Sequence, residues 1–162
     1  MRKAAVFMGA IALVMGATTA SAQGKNFAGT WTVVADPAAP APAPGRGGGR
    51  GLGQGATIAQ DAKTLTVTRT TQNGEIKQVY NLDGSDSKNT LTMGGNSVEQ
   101  VSKAKWEGDK LVITTTMNFN GNASESTMAL SLDASGQLVV ESTGAGRGGG
   151  PPTTTKMTYK KS

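Results

Sequence analysis

Most of this chain is written in short alternating runs, each stopped by turn residues, and that pattern limits its fold more than any other feature. In 64–71, Leu65 and Val67 share one face while Thr66 and Thr68 share the other, the period of two that a half-buried strand requires. Similar runs cover 27–34, 56–60, 76–82, 89–93, 97–106, 110–117, 124–132, 137–143 and 153–159. Asn73-Gly74 is a hairpin signal, because both residues accept positive φ. Helical periodicity is nearly absent after residue 22. The pattern predicts an all-β domain, an antiparallel up-and-down meander of about 8–10 strands closing into a barrel, since closure removes exposed edges. A weak internal echo supports this register. Leu65-Thr66-Val67-Thr68, Asn73-Gly74 and Leu82-Asp83 recur as Leu111-Val112-Ile113-Thr114, Asn120-Gly121 and Leu132-Asp133.

Two stretches break the pattern. Residues 36–55 run from Pro/Ala-rich to Gly/Arg-rich, and 144–152 repeat the Gly-Arg-Gly-Gly-Gly string of 45–49. Such compositions give extended and then unrestrained chain. Each joins one strand to the next, so they are expected to be flexible loops inside a single domain. Connections in a meander alternate between the two ends of the barrel. Ten strands therefore put both loops at one end, with Arg46, Arg50 and Arg147 and with Glu75 at the rim. Asp61, Asp83, Asp86, Glu107, Asp109 and Asp133 gather at the other. A barrel polarised by charge, with a basic mouth, is the expectation.

The N-terminus supplies an address. Met1-Arg2-Lys3 is positive, 4–17 is uncharged and apolar, and Ala20-Ser21-Ala22 places small residues where a signal peptidase cuts. Residues 1–22 read as a secretory signal peptide and 23–162 as the mature domain. The apolar run is short for a membrane helix, so no membrane span is expected after cleavage. No Cys follows the cleavage site to carry lipid. The expected location is periplasmic or secreted, by a bacterial Sec-type route, not as a lipoprotein. Loss of Arg2 and Lys3 lowers the formal charge from +5 to +3. That is no nucleic-acid footprint. Leu, Ile, Val and Phe make up only 22 of the 140 mature residues, so the core is thin. Modest charge and the alternating pattern argue against disorder.

The chain has no His and no Cys. That removes imidazole bases and ligands, thiolate chemistry and Ser-His triads. Six of the eleven acids sit in turns, where Asp commonly accepts local backbone N–H groups. The Gly-rich strings match no phosphate loop. We therefore expect no enzyme, no metal and no cofactor. Aromatic residues are only 4%, too few for the girdles of an outer-membrane barrel.

Three motifs point to a family. Phe27-Ala28-Gly29-Thr30-Trp31 resembles the FxGTW opening of fatty-acid-binding proteins and the Gly-x-Trp of lipocalins. Trp106-Glu107-Gly108-Asp109-Lys110-Leu111-Val112 is similar to the W-[DE]-G-x-K-L turn of the same group, and Tyr159-Lys160-Lys161 to its C-terminal Tyr-x-Lys. The resemblance implies a calycin barrel whose first-strand Trp closes one end and whose interior takes a small lipophilic ligand. It departs in two places. The group's helical lid is replaced by 36–55, and its carboxylate-binding Arg, two residues before the Tyr, is here Met157.

The expected function is that of an exported, non-enzymatic lipocalin-like protein binding a small apolar or amphipathic ligand. Candidate lining residues are Trp31, Val67, Tyr80, Ile113, Met117, Met128, Leu130 and Tyr159. The alternative is an envelope structural or interaction module with a filled barrel. Its contact surface would be the Gly/Arg loops, whose basic mouth suits an anionic envelope component.

Overall fold

The computed structural model describes residues 24–34, 51–71, 74–93, 95–119, 121–145 and 151–162. The signal segment 1–22, most of the 36–55 loop, and Arg46, Arg50 and Arg147 lie outside the described residues. The strands are β1 (Gly29–Val33), β2 (Gly55–Gln60), β3 (Thr64–Thr71), β4 (Gly74–Asn81) and β5 (Ser87–Met93). They continue as β6 (Asn96–Glu107), β7 (Lys110–Phe119), β8 (Asn122–Leu132), β9 (Leu138–Gly144) and β10 (Thr153–Lys161). All ten belong to one antiparallel sheet ordered β4-β3-β2-β1-β10-β9-β8-β7-β6-β5. Consecutive strands pair except β4 with β5, and β1 pairs with β10, setting Trp31 opposite Lys161 and Val33 opposite Tyr159. The result is a nearly closed meander barrel, the lipocalin- and fatty-acid-binding-protein-like layout. Among the described residues, no helix is long and apolar enough to cross a membrane.

The first strand starts later than its alternation suggests. Residues 24–28 leave the sheet and cross one end of the barrel. Asn26 Oδ1 accepts from Ala28 N, Gln60 Oε1 accepts from Phe27 N, and Phe27 O accepts from Trp31 Nε1, all at 2.8 Å. Phe27, fully buried, stacks on Trp106 with ring centroids 5.7 Å apart and planes 15° apart. Gly24 lies under the same indole, where a Cβ would collide with the ring. The turn carboxylates behave as the composition suggests. Asp61 accepts from the backbone N–H groups of Lys63 and Thr64 at 2.7 Å and from the Thr64 hydroxyl at 2.8 Å. These bonds hold its carboxyl below the usual carboxylate range.

Inward residues change character along the barrel axis. At the end closed by Phe27, Trp106 sits opposite Leu111 and Leu132 opposite Leu138. One layer further in, Leu65 faces Tyr80, Leu111 faces Leu130 and Tyr159 faces Leu138, all buried. Beyond these the partners turn polar, with Val67 opposite Gln78, Ser102 opposite Thr115 and Met128 opposite Ser142. The last layer holds Arg69 on β3 and Gln100 opposite Met117. So the barrel has an apolar base and a polar mouth.

The sheet's two edges, β4 and β5, meet without a backbone ladder, and side chains replace it. Asn89 Oδ1 accepts from Val79 N at 2.8 Å while Asn89 Nδ2 donates to Val79 O at 3.0 Å. Ser87 Oγ accepts from Asn81 N at 2.7 Å. The Asn89 amide thus acts as a detached peptide group and covers an edge that would otherwise be a pairing template. Asn89→Ala is expected to lower stability by about 1–3 kcal/mol through two lost bonds. Hydrogen exchange at the Val79 amide should accelerate while that of β7 and β8 stays at the global rate.

Candidate functional site

All eight lining candidates lie on the inward face. Trp31, Val67, Tyr80, Ile113, Leu130 and Tyr159 are buried, and Met117 and Met128 are half-buried. Ile113 stands directly opposite Met128. Trp31, Val67, Tyr80, Ile113, Leu130 and Tyr159 belong to one packed apolar core, and Met128 packs against it. Met117 is in the polar layer, where its Sδ accepts from Gln100 Nε2 at 3.6 Å.

Tyr159 links base to mouth. Its Oη accepts from Leu52 N at 3.2 Å and donates to Gly53 O at 3.1 Å. Both partners belong to a turn, Gly51–Gln54, that folds into the barrel from the end of the Pro/Gly loop. Gly51 and Gly53 each have φ of +69°, which only glycine adopts without strain. That allows Leu52 between them to point inward, where it is 1% exposed. Val33 N donates to Gln54 O at 3.0 Å and ties the turn to β1. The turn sits where the family resemblance would place a helical lid.

A chain of polar groups spans the mouth. Arg69 Nη1 donates to Gly51 O at 3.1 Å and Nη2 to Gln78 Oε1 at 2.8 Å. Gln78 Nε2 donates in turn to Gln100 Oε1 at 2.9 Å, bridging β4 to β6 across the seam. Ser102 Oγ and Thr115 Oγ1 share a bond of 2.8 Å. Among the described residues, two buried side-chain polar atoms have no partner: Arg69 Nε and Ser142 Oγ. Burial pushes the Tyr80 phenol up to about 12, against a smaller opposing pull from the Arg69 charge. Burial also raises Tyr159, opposed by the Leu52 N–H and by Arg69. Both phenols are neutral near pH 7. A hollow of about 360 Å³ opens at this end, bordered by Ser124, Ser126, Thr143, Gly144 and Pro152.

The charge-polarised mouth expected from Arg46, Arg50 and Arg147 falls on residues outside those described. The carboxylates of the opposite end lie in its turns or beside them, with Asp109 paired to Lys25 and Asp86 to Lys103. Sequence reasoning missed Arg69, Gln78, Gln100, Leu52 and Ser142. The signal for Arg69 is parity: it continues the inward set Leu65, Val67. Gln78 likewise alternates with Ile76 and Tyr80. Nothing in the Gly-rich string around Leu52 marks it as a core residue. Among the described residues, no group of three or more His, Cys, Asp or Glu is placed to hold a metal.

Neither a protein-family model nor a curated protein matches the chain. Among solved structures it is similar to zebrafish ileal bile acid-binding protein complexed with cholic acid, at 23% identity and a TM-score of 0.47, covering 67% of this chain and 72% of that one. The fold itself rests on strand order: ten antiparallel strands in a nearly closed meander, the calycin-type barrel of lipocalins and fatty-acid-binding proteins.

Proposed function

We propose that this protein is a non-enzymatic binder of a small amphipathic molecule, taken into the mouth half of the barrel. One observation carries the reading. The inward surface divides into a packed apolar base and a hydrogen-bonding mouth, and the mouth is occupied by a short turn rather than by a strand or a core layer. The turn is held by hydrogen bonds to Arg69, Tyr159 and Val33 and by the burial of Leu52, none of which is a pairing between strands, so it can leave without unpairing the sheet. Barrels of this strand number enclose room for one small ligand when the mouth is clear. The sequence of residues 1–22 supports export to the periplasm or exterior, where small envelope-derived amphipaths are available.

Native mass spectrometry of the protein purified from its own envelope tests this. A one-to-one small-molecule adduct, lost on Leu52→Trp, is the expected result. A bare mass that takes up neither decanoate nor decanol in subsequent titrations would overturn it. A second reading also has an observation behind it. Phe27 and Leu52 fill the two ends of the interior, as they would in an envelope module that binds only through its surface. That reading expects the bare mass together with a protein partner lost on deletion of 37–50.

A further inference from the structure

The seam between β4 and β5 is filled by substitutes for a strand. In the sheet, β4 neighbours only β3 and β5 neighbours only β6, so each turns a backbone edge towards the other with no ladder between them. On the β4 side, two side chains meet groups that a further strand would bond. Asn89 offers one carboxamide to both Val79 N and Val79 O, and Ser87 offers its hydroxyl to Asn81 N. A carboxamide has the donor and the acceptor of a peptide group. Both substitutes are buried, and both come from the start of β5. Towards the mouth they run out. Val79 turns its N–H and C=O to the seam, and the alternation of an antiparallel strand makes Lys77 and Glu75 do the same. Among the described residues, no hydrogen bond joins those backbone groups to β5. Gln78, between them, points inward and bonds Gln100 on β6, passing β5 by.

The two lips carry cations. Lys77 on β4 and Lys88 on β5 alternate with the buried Gln78, Ser87 and Asn89, so both point outward. Both are exposed, and neither takes part in the ion pairs of the described residues. Val79, one of two large apolar side chains left exposed among those residues, borders the same edge. We propose that the seam is a docking site for an extended, acidic segment of a partner protein, which displaces the Asn89 and Ser87 side chains and pairs with β4 as an added strand. Its backbone bonds Val79 and Lys77. Its outward side chains, on alternate residues, set carboxylates between Lys77 and Lys88. The same lysines turn away a basic segment, so the charge that guards the edge also selects what may pair with it. The site lies in the barrel wall and is independent of what the barrel encloses.

The experiment is amide hydrogen exchange and isothermal titration of the mature protein with synthetic peptides of eight residues, the length of β4. A peptide of alternating valine and glutamate is expected to slow exchange at the Lys77 amide. It should bind about tenfold or more tighter than one of alternating valine and lysine. N-methylation of every second residue on the edge facing β4 should abolish binding, because the ladder is lost while charge and apolar surface remain. Asn89→Ala should tighten binding by about fivefold, since no substitute has to be displaced. Lys77→Glu combined with Lys88→Glu should reverse the preference between the two peptides. Unchanged exchange at Lys77, or equal binding of the N-methylated peptide, would overturn the inference in the wild-type protein, with no variant having to fold. Equal affinity for the acidic and the basic peptide would do the same. Slowing at Lys77 that grows with protein concentration and needs no peptide would assign the edge to a second copy of the chain, and the inference would fall. None of these outcomes bears on uptake of decanoate or decanol by the barrel.

Discussion

Trp31→Ala is expected to destabilise the barrel by about 3–5 kcal/mol, the range for deleting a buried aromatic side chain. Trp31 is 3% exposed, and it does three things at the closed end. Its ring packs in the core beside Ala56, its partner on β2. Its Nε1 donates to Phe27 O at 2.8 Å, which fixes the chain crossing the base and with it the Phe27–Trp106 stack. Its outer face carries the Lys161 ammonium 5.7 Å from the ring centroid, on the strand that closes the barrel. Alanine leaves a cavity and orphans the Phe27 carbonyl in one step. Domains of this size are stable by only about 5–15 kcal/mol, and a thin core puts this one towards the lower end. Urea unfolding followed by far-ultraviolet circular dichroism should show a midpoint reduced by a third or more with an unchanged slope. Trp31→Phe should recover the packing but not the hydrogen bond. A loss under about 1 kcal/mol for alanine would mean that the base is not organised around this residue.

The base of the barrel was legible because it is built from local rules. Leu65, Val67, Leu111, Ile113 and Leu130 fall on the inward face by parity alone, and one-residue slips would turn all of them outward. Trp31 and Trp106 were marked by their motifs. Strands β5 to β8 extend past the apolar runs into Ser87, Asn96, Glu107 and Asn122. A ladder is a backbone matter and continues while its partner does, whatever the side chains. The mouth was illegible for the converse reason. Arg69, Gln78 and Gln100 look like surface residues of Thr-rich strands until the barrel closes and brings β3, β4 and β6 to one cavity. Leu52 is buried by a contact over more than a hundred residues, from the turn to Tyr159, and a string of glycines carries no trace of it. Asn89 bridges a seam whose existence depends on where the meander fails to pair. Periodicity reports which face a residue takes, and it does not report what the far wall offers.

The other large effect is alkaline. Tyr80 lies beside the mouth network with its phenol pushed up to about 12 by burial, while an unfolded chain releases that proton near 10. Its folded value is the higher one, so the neutral phenol favours the native state. The contribution is fully present below pH 10 and is lost as pH rises from there through the folded value near 12. Two pH units correspond to about 2–3 kcal/mol. Tyr159, raised in the same direction by burial, adds to the loss as pH rises above 10. Urea midpoints measured across that range should therefore fall steeply for the wild type and distinctly less for Tyr80→Phe, which has no proton to lose. The chain has only two tyrosines, so tyrosinate absorbance of the folded protein reads these two groups alone. Arg69 connects this titration to the site, because its charge favours the phenolate and holds the Tyr80 value below what burial alone would give. Arg69→Gln should accordingly shift tyrosinate formation to higher pH. An ordinary titration near 10 in the folded wild type would show that water reaches Tyr80, and the packed wall behind the mouth would have to be redrawn.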